Sequence, residues 1–180
     1  YMDEMAVDGK LEQWDDHHNA LDEYLSIDSS RYIMVYQATA QNGKAVIVID
    51  IKAEAVTEFM QGLNLGDGSI VGFVTAGGRE LAVKRNAGDE QGTPVEGETI
   101  FADKDFYLQA SETDGVRQVQ YNGTEYLFFH SKSEDTGATM CALVPLKVIT
   151  GQAESIKQIT IAGVLISSII ALLIGTAVTS

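Results

Sequence analysis

The alternation of hydrophobic and polar positions divides the chain into short strands, a few helices and a long apolar C-terminal stretch. In residues 3–27, apolar or aromatic side chains recur at steps of three and four, which predicts one face of a helix with heptad spacing. The stripe consists of Leu11, Trp14, His18, Leu21 and Leu25. Such a stripe has to bury against another helix of this chain or of a second copy, so we expect a homodimer.

The next part of the pattern predicts a hairpin followed by a helix. Residues 31–40 and 44–51 are rich in Ile, Val, Tyr and Met and predict two strands. Asn42-Gly43 between them is typical of a two-residue hairpin turn. From Ala53 the apolar period becomes helical. The residues that form this helical stripe are Val56, Phe59, Met60 and Leu63.

The remaining pattern predicts further hairpins and a closing strand. Residues 84–97 are polar and rich in Gly, which predicts a loop. Residues 101–110 predict a short helix with Asp103 as its cap. Pro145 ends the last strand, and a helix is predicted from about Val148. The other predicted strands are 69–75, 79–83, 116–121, 124–131 and 138–144. Because local hairpins dominate, we expect an α+β fold with a largely antiparallel sheet.

The C-terminal stretch predicts a membrane anchor. From Gln158 to Ser180 there are 23 consecutive residues without a charge. A helix of this length spans roughly 33 Å and crosses a bilayer core, so we predict a transmembrane helix in contact with lipid. The alternative is a buried helix of a soluble core. Since nothing follows this span, we expect the chain to be a fragment of a longer protein.

The charge of the chain excludes several classes of partner. Lys and Arg total 12 and Asp and Glu total 26, so the net charge is −14. This balance argues against nucleic acid, whose phosphates require Lys and Arg, and against peripheral docking on anionic lipid. The single cysteine, Cys141, permits no internal disulfide, and its apolar neighbours predict a buried, inert thiol.

The chain contains no motif that predicts catalysis. It has no nucleophile elbow, phosphate-binding loop, zinc-protease helix or dinucleotide fingerprint, so we predict neither an enzyme nor a cofactor. The most metal-like cluster is Asp15, His18 and Asp22, which would share one helical face and suit zinc. The alternative is a solvated acidic helix. The metal interpretation would make the chain an anchored metal-dependent hydrolase.

A ligand-binding cavity is a stronger prediction, because a small sheet with helices on one face leaves a partly aromatic concavity. Asp50 ends a strand otherwise made of Val and Ile, and its carboxylate either caps the helix that begins near Ala53 or meets the ammonium group of a ligand. His130 either contacts a ligand or closes the edge of the sheet. The predicted ligand contacts are Asp50, Tyr36, Tyr107, Tyr126, Phe128 and His130.

Four stretches carry a resemblance to a known family. Their order is a strand with a terminal aspartate before an amphipathic helix, two strands around Gly-Gly, closing strands that reach Val-Pro, and the apolar helix. These stretches are 45–51, 70–81, 121–145 and 159–178. In this order the chain, from about Arg31 to Ser180, resembles the extracytoplasmic Cache (PAS-like) sensor of a bacterial methyl-accepting chemotaxis protein. The aromatic, Arg, Trp-Tyr signature of its amino-acid-sensing members is not found beside Asp50.

The resemblance implies a receptor in the cell membrane, with the residues before about 158 outside the cytoplasm. Such receptors bind a small molecule and move a membrane helix, which controls a histidine kinase through cytoplasmic partners. The corresponding division is an N-terminal helix over 1–30, a sensor region over 31–147 and an exit and transmembrane helix over 148–180. The same outer region would also serve a membrane histidine kinase or a cyclic-dinucleotide enzyme. A membrane-anchored structural or adhesion protein is the alternative from another class.

Overall fold

The computed structural model describes residues 12–40, 45–110 and 113–151. The predicted turn at Asn42-Gly43 and the predicted transmembrane helix at 158–180 lie outside these ranges. Within the described ranges, none of the helices combines the length and the hydropathy that are needed to cross a bilayer.

A small antiparallel sheet forms the N-terminal part of the structure. Its strands are β1 (Glu12–Asp15), β2 (Tyr32–Thr39) and β3 (Val46–Lys52), in that spatial order. Between β1 and β2 lie α1 (Asn19–Leu25) and a 3₁₀ helix at Ser29–Arg31. The predicted strands at 31–40 and 44–51 are thus confirmed as β2 and β3.

The predicted helix over 3–27 is wrong for residues 12–18. β1 occupies the first four of them and pairs with β2, so that Trp14 lies opposite Tyr36 with their ring centroids 5.1 Å apart. Backbone pairing and this aromatic contact outweigh the helical period of the sequence, because together they cover part of Trp14 without a helix. His18 precedes α1, so the stripe does not form one helical face there. The homodimer stays a prediction.

A larger antiparallel sheet follows α2 (Ala53–Gly62), which confirms the helix predicted from Ala53. The sheet has six strands in the order β6-β5-β4-β9-β8-β7, so the last strand lies in its interior between β4 and β8. Its strands are β4 (Ile70–Val74), β5 (Glu80–Lys84), β6 (Thr93–Pro94), β7 (Asp114–Tyr121), β8 (Thr124–Lys132) and β9 (Thr139–Pro145). The expected α+β fold with antiparallel sheets is confirmed.

Two details of this part differ from the sequence prediction. The predicted loop 84–97 contains β6, whose Pro94 is tolerated because β6 is an edge strand. The predicted helix 101–110 is reduced to α3 (Asp105–Leu108), which is preceded by Lys104 with no side-chain cap. Asp103 instead pairs with the Lys104 ammonium group at 3.0 Å, so the capping role predicted for Asp103 is wrong.

The two faces of the larger sheet carry separate cores. On one face α2 covers Val71 and Val83 with Met60, which is fully buried, whereas Phe59 of the predicted stripe is 63% exposed. On the other face an aromatic cluster surrounds Phe101. Gly72 permits this packing, because a Cβ there would lie 2.4 Å from the Phe101 ring.

Arg79, in the turn between β4 and β5, joins the larger sheet to the small one. One terminal nitrogen donates to the carbonyls of Asp16 at 2.7 Å and Ile33 at 3.2 Å. The other donates to the carbonyls of Ser29 at 2.8 Å and Tyr32 at 2.9 Å. The guanidinium carbon lies 5.4 Å from the centre of the Tyr32 ring. A planar group with several fixed donors suits this convergent set of acceptors.

Two further charged side chains, Glu80 at the start of β5 and Arg85 directly after its end, hold the neighbouring loops. Glu80 accepts hydrogen bonds from the backbone N–H groups of residues 100–102 at 2.8–3.0 Å, which holds the segment before α3 on the sheet. The buried Arg85 donates to carbonyls in the loop after β5 and at the end of α2. Its acceptors are Asp89, Glu90, Gln61 and Leu63.

The end of β9 leads directly into helical backbone. Pro145 is the last residue of β9, and residues 146–151 are helical, close to the predicted start at Val148. Gly66, at a φ of 96°, packs against this helical segment, since a Cβ there would lie 2.4 Å from a Val148 methyl group. The strand and the helix are therefore joined without a flexible linker.

We predict that Arg79→Met lowers the free energy of unfolding by about 3 kcal/mol, because four carbonyls lose a charged donor. Arg117→Met is the matched control, since Arg117 makes only long contacts of 3.4 and 3.5 Å to one carbonyl, and we expect a loss below about 0.5 kcal/mol. Urea unfolding measures both values. Equal losses in the two variants would contradict the joining role of Arg79.

Candidate functional site

A cluster of polar side chains lies between α1 and the small sheet. The buried His18 places Nε2 2.8 Å from Asp50 Oδ1, within hydrogen-bond distance. Its Nδ1 lies 3.1 Å from Asp22 Oδ1, an ion-pair distance without the alignment of a hydrogen bond. Tyr32 donates to Asp22 Oδ2 at 2.5 Å. Burial and this bond to Asp22 raise the pKa of Tyr32 to about 12.

Asp50 does not cap α2, so that interpretation of the sequence is wrong. The helix is preceded by Lys52 and has no side-chain cap, while the Asp50 carboxylate is directed to His18 because the buried imidazole needs a partner. Asp50 also lines a cavity of about 460 Å³, here called the Asp50 cavity. Its charged lining residues are Arg31, Asp50, Lys52 and Glu54. Contact of Asp50 with a ligand ammonium group stays a prediction.

The predicted metal cluster is only partly assembled. His18 and Asp22 are close, but Asp15 lies on β1 and accepts a hydrogen bond from Gln13 at 2.7 Å. In the described part of the chain, no group of three or more His, Cys, Asp or Glu side chains is arranged to hold a metal ion. The reason is that β1 replaces the helix that would have placed Asp15 and His18 on one face.

A second cavity, of about 270 Å³, lies at one end of the larger sheet beneath α3 and is here called the His130 cavity. It is bounded by the ends of β4 and β8, the start of β9 and the residues of α3. Its polar lining residues are Thr75, Tyr107, His130, Lys132 and Thr139. Its remaining wall is formed by Ala76, Leu108, Ala110 and Gly137.

The cavity wall is held by packing from behind. The buried ring of His130 stacks on Phe128, with centroids 5.3 Å apart and an interplanar angle of 16°. Gly115 lies opposite His130 on β7, and a Cβ there would approach His130 Cε1 to 2.5 Å. Tyr107 Oη lies 3.4 Å from Thr139 Oγ1, and burial raises the pKa of Tyr107.

The six predicted ligand contacts are divided among three places. Tyr107 and His130 line the His130 cavity, and Phe128 supports it. Tyr126 belongs to the aromatic core, where its ring meets Tyr121 edge to face. Asp50 lines the Asp50 cavity beside the small sheet. Tyr36 lies apart on β2 and donates to Glu12 Oε2 at 2.7 Å.

Sequence reasoning missed Lys132, Thr75 and Thr139 as cavity residues. Lys132 follows His130 by two positions and lies opposite Thr139 in the sheet. Strand alternation together with the register would therefore have placed Lys132, His130 and Thr139 on one face. The register was the missing information, because it depends on pairing between β8 and β9.

Comparison with known proteins leaves the family open. No family model and no curated protein matches the chain. Among solved structures, the chain is similar to the extracellular domain of a protein described as a histidine kinase, rpHK1S-Z16, with 17% identity and a TM-score of 0.45. The match covers 66% of this chain and 49% of that one, so the chain spans about half its length. A TM-score below 0.5 does not establish a common fold.

We predict that Asp50→Ala costs about 1–2 kcal/mol of stability, because the buried His18 loses its partner. In a double-mutant cycle with His18→Leu, a coupling energy of about 1 kcal/mol is expected from urea unfolding. Glu54→Ala is the control, since Glu54 lines the same cavity and is exposed, and it should be additive with His18→Leu. Additivity of Asp50→Ala with His18→Leu would contradict a stabilising interaction between Asp50 and His18.

The raised pKa of Tyr32 predicts a loss of stability in alkali. Because the folded state holds the phenol proton more tightly than the unfolded chain, the contribution is fully present below about pH 10 and is lost as pH rises towards 12. Tyr32→Phe should remove one late-titrating phenol from the phenolate absorbance and flatten the fall of stability in this window. An unchanged titration curve would refute the assignment.

Proposed function

We propose that the chain is the extracytoplasmic ligand-sensing part of a membrane receptor, which binds a small molecule in the His130 cavity. The observation that carries the proposal is the position of β9. Its first residue, Thr139, lines the cavity, and its last residue, Pro145, leads into the helical residues 146–151. One strand therefore connects the binding cavity with the segment that precedes the predicted membrane helix.

The packing of β9 supports transmission along this strand. β9 is paired on both sides, with β4 and with β8, so it moves with the interior of the sheet rather than bending alone. The opposite wall of the cavity is α3, a single short helical turn that is attached to the sheet through Glu80. A molecule that bridges α3 and β9 would favour one packing of this turn against the sheet, which is a population shift between two states.

The topology is consistent with the PAS-like resemblance of the sequence. The larger sheet is antiparallel, with β9 between β4 and β8, and helices α2 and α3 pack on its two faces. By the resemblance of the sequence we propose a receptor of the chemotaxis type, with a histidine kinase or a cyclic-dinucleotide enzyme as the alternative output. The predicted span at 158–180 would place the receptor in the cell membrane, and a homodimer with cytoplasmic signalling partners would complete it.

A bulky side chain at the cavity mouth should block binding. Leu108 of α3 is 65% exposed and lines the cavity, so Leu108→Trp fills part of it at little cost to folding. Leu25→Trp is the control, because Leu25 is 56% exposed at the end of α1 and lines neither cavity. We expect small molecules that raise the Tm of the parent chain to raise that of Leu25→Trp equally and to have at most a tenth of the effect on Leu108→Trp.

The screen should include small organic acids, amines, amino acids and sugars, measured on the full 180-residue chain in detergent. Hydrogen–deuterium exchange with the best of these compounds should then slow over residues 139–151 as well as over α3. Protection limited to α3 would refute transmission along β9. If no compound raises the Tm, an anchored structural role replaces the sensor.

A further inference from the structure

The charge of the His130 cavity is opposite to that of the chain. The chain carries 26 acidic and 12 basic side chains, yet the described lining of this cavity contains no carboxylate, and its one fixed charge is the ammonium group of Lys132. The Asp50 cavity, by contrast, is lined by two acidic and two basic residues. A cavity that collects a cation and hydroxyl groups in so acidic a protein favours an anion.

Hydroxyl groups complete the polar end of the cavity. Tyr107 Oη and Thr139 Oγ1 lie 3.4 Å apart, a separation at the long limit of a hydrogen bond. A ligand atom that accepts at a shorter distance can therefore replace Thr139 as the acceptor of the Tyr107 hydroxyl. Thr75 is committed elsewhere, because its hydroxyl donates to Asp16 at 2.7 Å and accepts from the Arg79 backbone at 2.9 Å. Lys132 and Tyr107 are therefore donors that a ligand could use.

The carboxylates behind this wall accept hydrogen bonds from donors of their own. Asp16 accepts from Thr75, and the backbone of Arg79 closes the same turn. Glu80, whose charge contributes to the raised pKa of Tyr107, accepts from three backbone N–H groups. Their repulsion of a bound anion is thereby reduced, as hydrogen bonds to a carboxylate disperse its charge.

Apart from its polar residues, the lining of the cavity is apolar. Ala76, Leu108 and Ala110 face the cavity together with Gly137. Such a wall binds a short hydrocarbon group but not a second charge. A volume of about 270 Å³ holds a compound of a few carbon atoms with some water.

We propose that the His130 cavity binds a small aliphatic monocarboxylate. The carboxylate lies between the Lys132 ammonium and the Tyr107 hydroxyl, and the hydrocarbon tail lies against Ala76, Leu108 and Ala110. This inference rests on the proposed function, of which it names the ligand class. A phosphate would share the anionic head but would leave the apolar wall without a partner, so the two anions are separable by experiment.

The test is calorimetric titration of the full chain in detergent with acetate, propionate and butyrate. Binding should tighten about fourfold for each added methylene group, since each buries apolar surface. Propionamide, which has the shape of propionate without its charge, should bind at least tenfold more weakly. Tighter binding of inorganic phosphate than of butyrate, or equal binding of propionamide and propionate, would overturn the proposal.

Two variants connect binding to the cavity. Lys132→Gln removes the charge from an exposed position and should weaken butyrate binding at least tenfold, while the control Lys84→Gln, at the exposed end of β5, should leave it unchanged. Tyr107→Phe should weaken it about threefold to tenfold. An unchanged affinity in Lys132→Gln would place the anion elsewhere and refute the proposal.

The failure of this inference is distinguishable from failure of the proposed function. If none of the carboxylates binds but another compound raises the Tm in a manner that Leu108→Trp abolishes, the carboxylate class is refuted and the sensor stands. If carboxylates bind as expected without protection of residues 139–151, the ligand class stands and the transmission along β9 is refuted.

Discussion

The guanidinium group of Arg79 is the contact on which the arrangement of the two sheets depends. It stands at a tight turn of the larger sheet and donates to four carbonyls of the N-terminal segment. Within the described residues, no strand pairing joins that segment to the larger sheet. The cost of partly burying the charge is offset by these acceptors and by the face of the Tyr32 ring. The packing of Ile33 and Met34 against Phe73, Leu81 and Ala138 and the Thr75–Asp16 hydrogen bond hold the small sheet beside this contact.

Strand β5, which begins directly after Arg79, also positions neighbouring elements through charged side chains. Glu80 holds the segment before α3, and Arg85 holds the end of α2, so three charged groups at the two ends of β5 place the elements on both faces of the sheet. The two cavities are connected through this network. Thr75 of the His130 cavity donates to Asp16, whose carbonyl accepts from Arg79, and Arg79 also bonds the carbonyl of Tyr32 beside the Asp50 cavity.

The candidate site shows where sequence reasoning succeeded and where it stopped. Asp50, Tyr107 and His130 are recognisable as polar or aromatic residues at the ends of strands or in a short helix, and each lines a cavity. Which residues share a cavity was not recognisable from the sequence, because it depends on which strands are neighbours in the sheets. Asp50 and His130 lie in different sheets, while Lys132 and Thr139 meet only through the pairing of β8 with β9.

The sequence by itself determined the local elements of this protein: the hairpins, the amphipathic helix α2 and the antiparallel α+β class. These follow from periodicity, turn dipeptides and apolar runs, which act over a few neighbouring residues. The tertiary structure alone decided that residues 12–15 form β1, that Asp50 contacts His18, and that Arg79 joins two sheets. Each of these depends on partners distant in the chain, whose pairing and burial outweigh a local preference of a few tenths of a kcal/mol per residue, roughly the scale of helix propensity.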